Sequence, residues 1–231
     1  MGKNIYTDGK YLENNQAWHT EDSAWKTKQI LKIIEKNKLK PSSICEVGCG
    51  AGEILNQLYS KLPKTNTFSG YDISPQAIKK AKTKEKERLS FYEKDFLKED
   101  ISFDLVMTID VIEHIQDYFS FVKKLKEKSK HQIFHIPLDL SVQSVLRIKP
   151  ILKQRQKVGH IHYFTKETAL EALKDCGFEI VDYFYTGSAI DLPSKSIKSF
   201  LAKLPRKILF KINKDLAVRL LGGYSLMVLT K

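Results

Sequence analysis

Cysteine is scarce in this 231-residue sequence: Cys45, Cys49 and Cys176 are the three, an odd number with no Cys-x-x-Cys spacing. That excludes a disulfide framework and a cysteine-built zinc site, and makes reduced thiols in a cytoplasmic chain the expectation. Long apolar runs are missing too. No stretch approaches the ~18 residues of a membrane span, and Met1 to Lys10 has no apolar core of a signal peptide. Internal repeats and low-complexity linkers are also absent, so a single domain over residues 1–231 is expected. What is present is ordinary globular material, with 42% hydrophobic residues, enough to build a core.

Acidic residues are the other shortage. Lys and Arg together number 39 against 27 Asp and Glu, a formal charge of +12. Its location says more than its size. Residues 143–158 contain Arg147, Lys149, Lys153, Arg155 and Lys157 and no acid. Residues 193–219 contain Lys195, Lys198, Lys203, Arg206, Lys207, Lys211, Lys214 and Arg219 against Asp215 alone. The rest of the chain is formally neutral.

Hydrophobic periodicity predicts an alternation of strands and helices. Thr20 is a candidate cap for a helix over about 21–38, with Trp25, Ile30, Ile33 and Ile34 at helical spacing. Strands are expected at 42–47, 67–73, 88–93, 103–109, 133–136, 178–185 and 224–230. Ser74-Pro75 opens a helix, Asp117 to Lys128 holds another, and Thr165 caps a third that Gly177 stops. Such alternation implies an α/β fold with a mostly parallel sheet between two helical layers.

Between the first strand and its helix lies Glu46-Val47-Gly48-Cys49-Gly50-Ala51-Gly52. A glycine loop there lets backbone N–H groups and a helix N-terminus approach a ligand closely. A dinucleotide fingerprint would require Gly or Ala at position 53, and the residue is Glu53, a poor neighbour for pyrophosphate. An acid at the strand end with glycines at alternate positions suits a cationic, phosphate-free ligand. Asp72 ends the second strand near the ~20-residue offset at which an acid meets ribose hydroxyls in Rossmann-type folds. Asp95-Phe96 follows the third strand, and the fourth runs into Ile109-Asp110-Val111-Ile112-Glu113-His114.

On these motifs the chain resembles the class I S-adenosylmethionine-dependent methyltransferases, within them the small-molecule group that includes the ubiquinone and menaquinone biosynthesis methyltransferases. The resemblance covers about 42–231. It implies a Rossmann-like three-layer sandwich whose seven-stranded sheet has an antiparallel last strand, and S-adenosylmethionine as cofactor. By the same resemblance Glu46, Gly48, Cys49, Gly50 and Gly52 surround the methionine moiety and Asp72 binds the ribose. Ile73, Asp95, Phe96 and Ile109 complete the cofactor site. Residues 1–40, with Tyr11 and Trp18-His19, are expected to form an N-terminal lid and helix over a single methyltransferase domain.

Methyl transfer from a sulfonium is an in-line displacement that depends on positioning, with a base needed only to unmask an oxygen or nitrogen nucleophile. Histidine suits that task near neutral pH. His114, His135, His160 and His162 all lie near element ends. His160, in Gly159-His160-Ile161-His162-Tyr163, is the first candidate and His114 the second. No carboxylate or thiol lies at ligand spacing near His160 and His162, so no metal is expected.

In the second basic insert Ile197, Phe200, Leu201 and Leu204 recur at helical spacing, Pro205 is expected to break the helix, and Ile208, Leu209, Ile212 and Leu216 form a second apolar row. Such basic amphipathic pieces fit an anionic membrane, a pocket for an anionic or lipid-linked substrate, or a solvated lid with a core-facing side. The leading expectation is O-methylation of a small, anionic, sugar or lipid-linked acceptor, with peripheral membrane contact through 193–219. RNA methylation stays open, but only Phe200 and Phe210 are interleaved with the basic runs and no RNA-binding module is appended. A non-catalytic cofactor-binding protein is the third reading.

Overall fold

Seven strands form one sheet in the computed structural model, which describes residues 20–193 and 197–231. They are β1 (Ser43–Val47), β2 (Thr67–Asp72), β3 (Leu89–Glu93), β4 (Phe103–Ile109), β5 (Ser129–Leu138), β6 (Ile180–Thr186) and β7 (Tyr224–Thr230). The spatial order is β3-β2-β1-β4-β5-β7-β6. The pairs β1–β2, β1–β4, β2–β3 and β4–β5 are parallel, while β7 runs antiparallel to both β5 and β6. This is the Rossmann-like arrangement expected, with the antiparallel last strand. Strand order reverses at β1 and β4, and ligands of such sheets bind outside the carboxyl ends of the strands at that reversal.

Helices follow in the order α1 (Ser23–Lys36), α2 (Glu53–Lys61), α3 (Pro75–Lys82), α4 (Tyr118–Lys126), α5 (Val142–Arg147), α6 (Lys149–Lys157), α7 (Lys166–Asp175), α8 (Ser188–Asp191), α9 (Ile197–Leu201), α10 (Lys203–Ile212) and α11 (Lys214–Leu221). The first three bury Ile30, Ile33, Leu55, Leu58 and Ile78 against one face of the sheet. On the other face α4, α7 and α11 pack Val122, Leu125, Leu173, Ala217 and Val218. Two cores on one sheet explain why the central strands read as unbroken apolar runs. Among the described residues no helix is long and apolar enough to cross a membrane.

Local signals are borne out where they carry chemistry. The Ser74 hydroxyl accepts from the Ala77 N–H with Pro75 behind it, and Thr165 forms a capping box with Thr168. Three expectations are corrected. The first helix starts at Ser23 after a 3-10 turn at Thr20–Asp22, and the Asp22 side chain makes no cap hydrogen bond; its Oδ2 pairs with Lys26 at 3.2 Å. β5 is longer than its apolar run, since Ser129 at one end still pairs with Phe103 and Leu138 at the other with Tyr224. Pro205 does not break its helix: it lies in the first turn of α10, where its missing N–H has no intrahelical acceptor to lose. Tyr11, Trp18, His19 and Lys195 lie outside the described residues.

Gly70 in the middle of β2 shows how tightly the sheet is closed beneath the glycine loop. A Cβ there would lie 2.5 Å from the Phe91 ring and 2.9 Å from the Cys49 sulfur. Phe91 is fully buried and has nowhere to go. The variant Gly70→Ala is therefore expected to lose about 1–3 kcal/mol of stability by overpacking, measured by urea denaturation. An unchanged midpoint would mean that the ring relaxes freely.

Candidate functional site

The carboxyl edge of β1 and β2 is organised by one carboxylate. Asp72 accepts the Gly50 N–H at 2.9 Å and the Ser74 N–H at 2.8 Å, so it ties the glycine loop to the loop that starts α3. Burial raises its pKa, and those backbone donors offset part of the rise. Gly48 adopts φ 76°, and a Cβ there would meet a Val111 methyl at 2.6 Å. Only glycine both turns the chain and lets the loop after β4 close against the loop after β1.

Glu46 is buried, and its Oε2 has no hydrogen-bond partner. Burial pushes its pKa up to about 8; nearby Lys26 opposes the rise and Asp72 adds to it. A buried carboxylate oxygen without a donor is a receptor for a cationic or N–H-bearing group. The Cys49 thiol beside it is driven well up, by burial first and then by Asp72 and Glu46, so it is a packed thiol and no nucleophile.

Glu46, Gly48, Cys49, Gly50, Gly52 and Asp72 thus lie together where β1 and β2 end. Ile73 follows Asp72 and is half exposed. Asp95 caps a 3-10 turn by accepting the Leu97 N–H. The Phe96 side chain is taken up by the core, 5.1 Å from the Tyr71 ring and 6.0 Å from Phe103. Ile109, at the end of β4, is buried.

Past β4 lies a chain of buried polar groups that sequence reasoning left without roles. Lys26 of α1 pairs with Asp110 at 2.8 Å, and Asp110 meets His135 Nδ1 at 2.6 Å. His135 Nε2 reaches the Thr186 hydroxyl at 2.8 Å. Burial alone would raise the Asp110 pKa; His135 and Lys26 outweigh it and hold the carboxyl far below the usual range. Asp110 also carries φ 54°, an uncommon conformation for a non-glycine residue that these contacts sustain. His135, with both ring nitrogens engaged, is a structural member of this chain.

The two first-ranked histidines converge on Glu113. His160 and His114 stand edge to face with centroids 5.0 Å apart. Their Nε2 atoms lie 3.9 Å and 3.8 Å from Glu113 Oε1. His160 Nδ1 meets Asp139 at 2.5 Å, and His114 Nδ1 meets the Gly159 carbonyl at 3.1 Å. Glu113 is fully buried, and neither carboxylate oxygen has a hydrogen-bond partner. Burial raises its pKa well above normal, and Asp110 and Asp139 add to the rise. His162 is spent on the Ile115 and Gln116 carbonyls.

Ligand atoms of Glu113, His114 and His160 lie within 4.8 Å of one another, a set that could hold a metal ion. The carboxylate that local spacing around His160 lacked is supplied by a loop far away in the chain. Its only sequence trace is the Asp110-x-x-Glu113-His114 spacing after a strand.

A family model described as a methyltransferase domain matches residues 17–183. Norajmaline N-methyltransferase of Rauvolfia serpentina is 36% identical over 104 residues, which is 42% of this chain and 35% of that protein. The chain therefore spans about a third of the length of that curated relative. Among solved structures, magnesium protoporphyrin IX methyltransferase from Synechocystis PCC 6803 with bound S-adenosylhomocysteine matches at TM-score 0.61 and 15% identity, covering 94% of this chain and 85% of that one. The N-methyltransferase NodS from Bradyrhizobium japonicum, also with S-adenosylhomocysteine, matches at TM-score 0.57 and 16% identity, covering 90% and 85%. At these identities the structural likeness speaks for the fold.

Glu46 carries a stability signature. With its pKa raised from 4.5 to about 8, the ligand-free folded chain holds a proton that the unfolded chain releases. Stability therefore falls as pH climbs between those values and levels off above them. Glu46→Gln is expected to be more stable than wild type by a few kcal/mol near the upper value, with the gap closing toward the lower one. Denaturation curves across pH test this, and parallel curves for the two proteins would remove the buried charge from the account.

Proposed function

This chain belongs to the methyltransferase-domain family, and on that premise we propose that it transfers the methyl group of S-adenosylmethionine to an oxygen of a small, anionic or lipid-linked acceptor. One observation carries the cofactor half of this reading. A buried Glu46 oxygen without a donor faces a glycine loop that Asp72 locks in place. The set suits a ligand with a cationic amine and ribose hydroxyls and no phosphate. When bound, S-adenosylmethionine supplies an activated methyl on sulfur.

In this reading Glu46 receives the amine, Asp72 the ribose, and Ile73, Asp95 and the Phe96 backbone border the adenine. Ile109 ends β4 beside the acceptor side. His160 is the proton acceptor for the nucleophile: the Asp139 contact at Nδ1 fixes the ring and directs Nε2 toward Glu113. Asp139 is then a positioning residue. His114 borders the same space from the loop after β4.

A second reading of the same cluster is favoured by the Glu113–His114–His160 proximity. A divalent cation held there would lower the pKa of an acceptor hydroxyl. Calorimetric titration with magnesium or zinc salts decides between them: binding that Glu113→Gln abolishes supports the cation, and no heat in either protein rejects it.

Asp72→Ala is expected to weaken S-adenosylmethionine binding at least tenfold by titration calorimetry, because loop and ribose contacts go together. His160→Ala is expected to leave that affinity intact and lower methyl transfer about 10²–10⁴-fold, the usual contribution of a general base. The assay offers a tritiated methyl to extracted membrane lipids, small polar metabolites and total RNA side by side. Label confined to RNA would overturn the acceptor class, and full activity in both variants would overturn the site.

A further inference from the structure

Apolar side chains left in solvent are not spread evenly over this protein. Of the 19 large hydrophobic residues exposed among the described ones, 13 fall within 142–152 and 197–220. Single exposed apolar residues need no explanation, whereas a concentration in two segments does.

Along α9 and α10, which only Ala202 separates, Ile197, Leu201, Leu204, Ile208 and Ile212 recur at steps of four, three, four and four. All five face solvent, from 51% exposed at Ile208 to 78% at Ile197. The outward direction is enforced from beneath. Leu209 and Phe210 pack on the core, and Phe210 stacks on Tyr224 at 5.0 Å. The Arg206 guanidinium donates to the Ala202, Leu221 and Gly222 carbonyls and to Gln143 Oε1. The last of these binds α10 to α5, so the two apolar segments share one side of the molecule. Between α5 and Arg219 lies an open hollow of about 310 Å³ lined by Leu140, Val142, Val145 and Leu146.

Cations surround this surface. Arg147, Lys149, Lys153, Arg155 and Lys157 are exposed on α5 and α6, and Lys207, Lys211 and Lys214 on α10 and α11. The acids beside it are already engaged, Asp215 by Lys166 and Tyr185 and Glu167 by Arg219. A second copy of this chain would bring like charge against like charge, at +12 each. Nucleic acid would satisfy the lysines and strand the isoleucines and leucines in water. A bilayer with anionic headgroups satisfies both.

We propose that α5, α6, α9 and α10 seat the protein on an anionic lipid surface, with the Ile197–Ile212 stripe at the boundary of headgroups and acyl chains. The surface adjoins the candidate site through the chain itself: α5 follows β5 just after Asp139, and α6 leads into Gly159-His160. The docking stands on exposure and charge alone and does not require the methyl-transfer reading.

Flotation of the full chain with vesicles of phosphatidylcholine alone, or containing about a third phosphatidylglycerol, tests it at low and high salt. The expected result is binding to the anionic vesicles only, weakened by salt. Ile208→Glu with Ile212→Glu, and separately Lys207→Glu with Lys211→Glu, should each weaken it about tenfold or more. These side chains are exposed, so melting temperature and S-adenosylmethionine affinity should be unchanged, which separates failed docking from failed folding or a failed cofactor site. Absence of flotation, vesicle binding untouched by the isoleucine changes, tighter retention by RNA at the same salt, or light scattering showing a dimer that those changes dissolve would each overturn the proposal.

Discussion

A single buried ammonium, that of Lys26, balances the acids gathered where β1 and β4 end. Parallel strands deliver the ends of β1 and β4 to the same place, and this chain puts acids there: Glu46, Asp110 and Glu113. Such a group of carboxylates in a dry environment repels itself. Lys26 resolves the conflict by pairing directly with Asp110 and Asp22, while its charge also eases the burial of Glu46 and Glu113. Burial would lower the Lys26 pKa, but the two aspartates outweigh it and raise it, so it stays charged. Helix α1 is thereby part of the fold and of the site at once: its isoleucines close one core while its first turn supplies the cation.

The distribution of charge that results divides the edge. Asp110 is ionised and engaged by His135 and Lys26. Glu46 and Glu113, which no cation touches as closely, are left with raised affinity for protons and with oxygens that lack partners. One faces the glycine loop and the other faces two histidines. That asymmetry is what the proposed reading uses, with the amine of the cofactor on one side and proton transfer on the other. It also sorts the histidines by what their nitrogens already hold: His135 and His162 are committed to the scaffold, and His160 is braced by Asp139 toward Glu113.

Much of this was legible in one dimension. The strand–glycine loop–helix sequence, the Ser74-Pro75 start and Asp72 follow from short-range patterns whose causes are local: φ above zero, caps, and alternation of burial; the antiparallel last strand was implied by the family resemblance alone. Other features resisted for equally physical reasons. Phe96 looks like a ligand neighbour by position, yet the gap beside Tyr71 and Phe103 draws its ring inward. The proline at 205 looks like a stop signal, yet its effect depends on where the helix begins. The amphipathic pattern of α9 and α10 is plain, but periodicity shows only that a helix has two faces. Which face meets the core was fixed by Arg206, Phe210 and the space left by β7.

The sequence alone thus determined the class of fold, the residues of the glycine loop and their acid partners, and the two basic segments, because each of these is written in the spacing of near neighbours. The tertiary structure alone decided that Lys26 meets Asp110, that Asp139, His160, His114 and Glu113 share one cluster, and that an apolar stripe faces outward. Those outcomes depend on strand order, which sets β4 beside β5 and brings together groups dozens of residues apart. No local propensity records that adjacency.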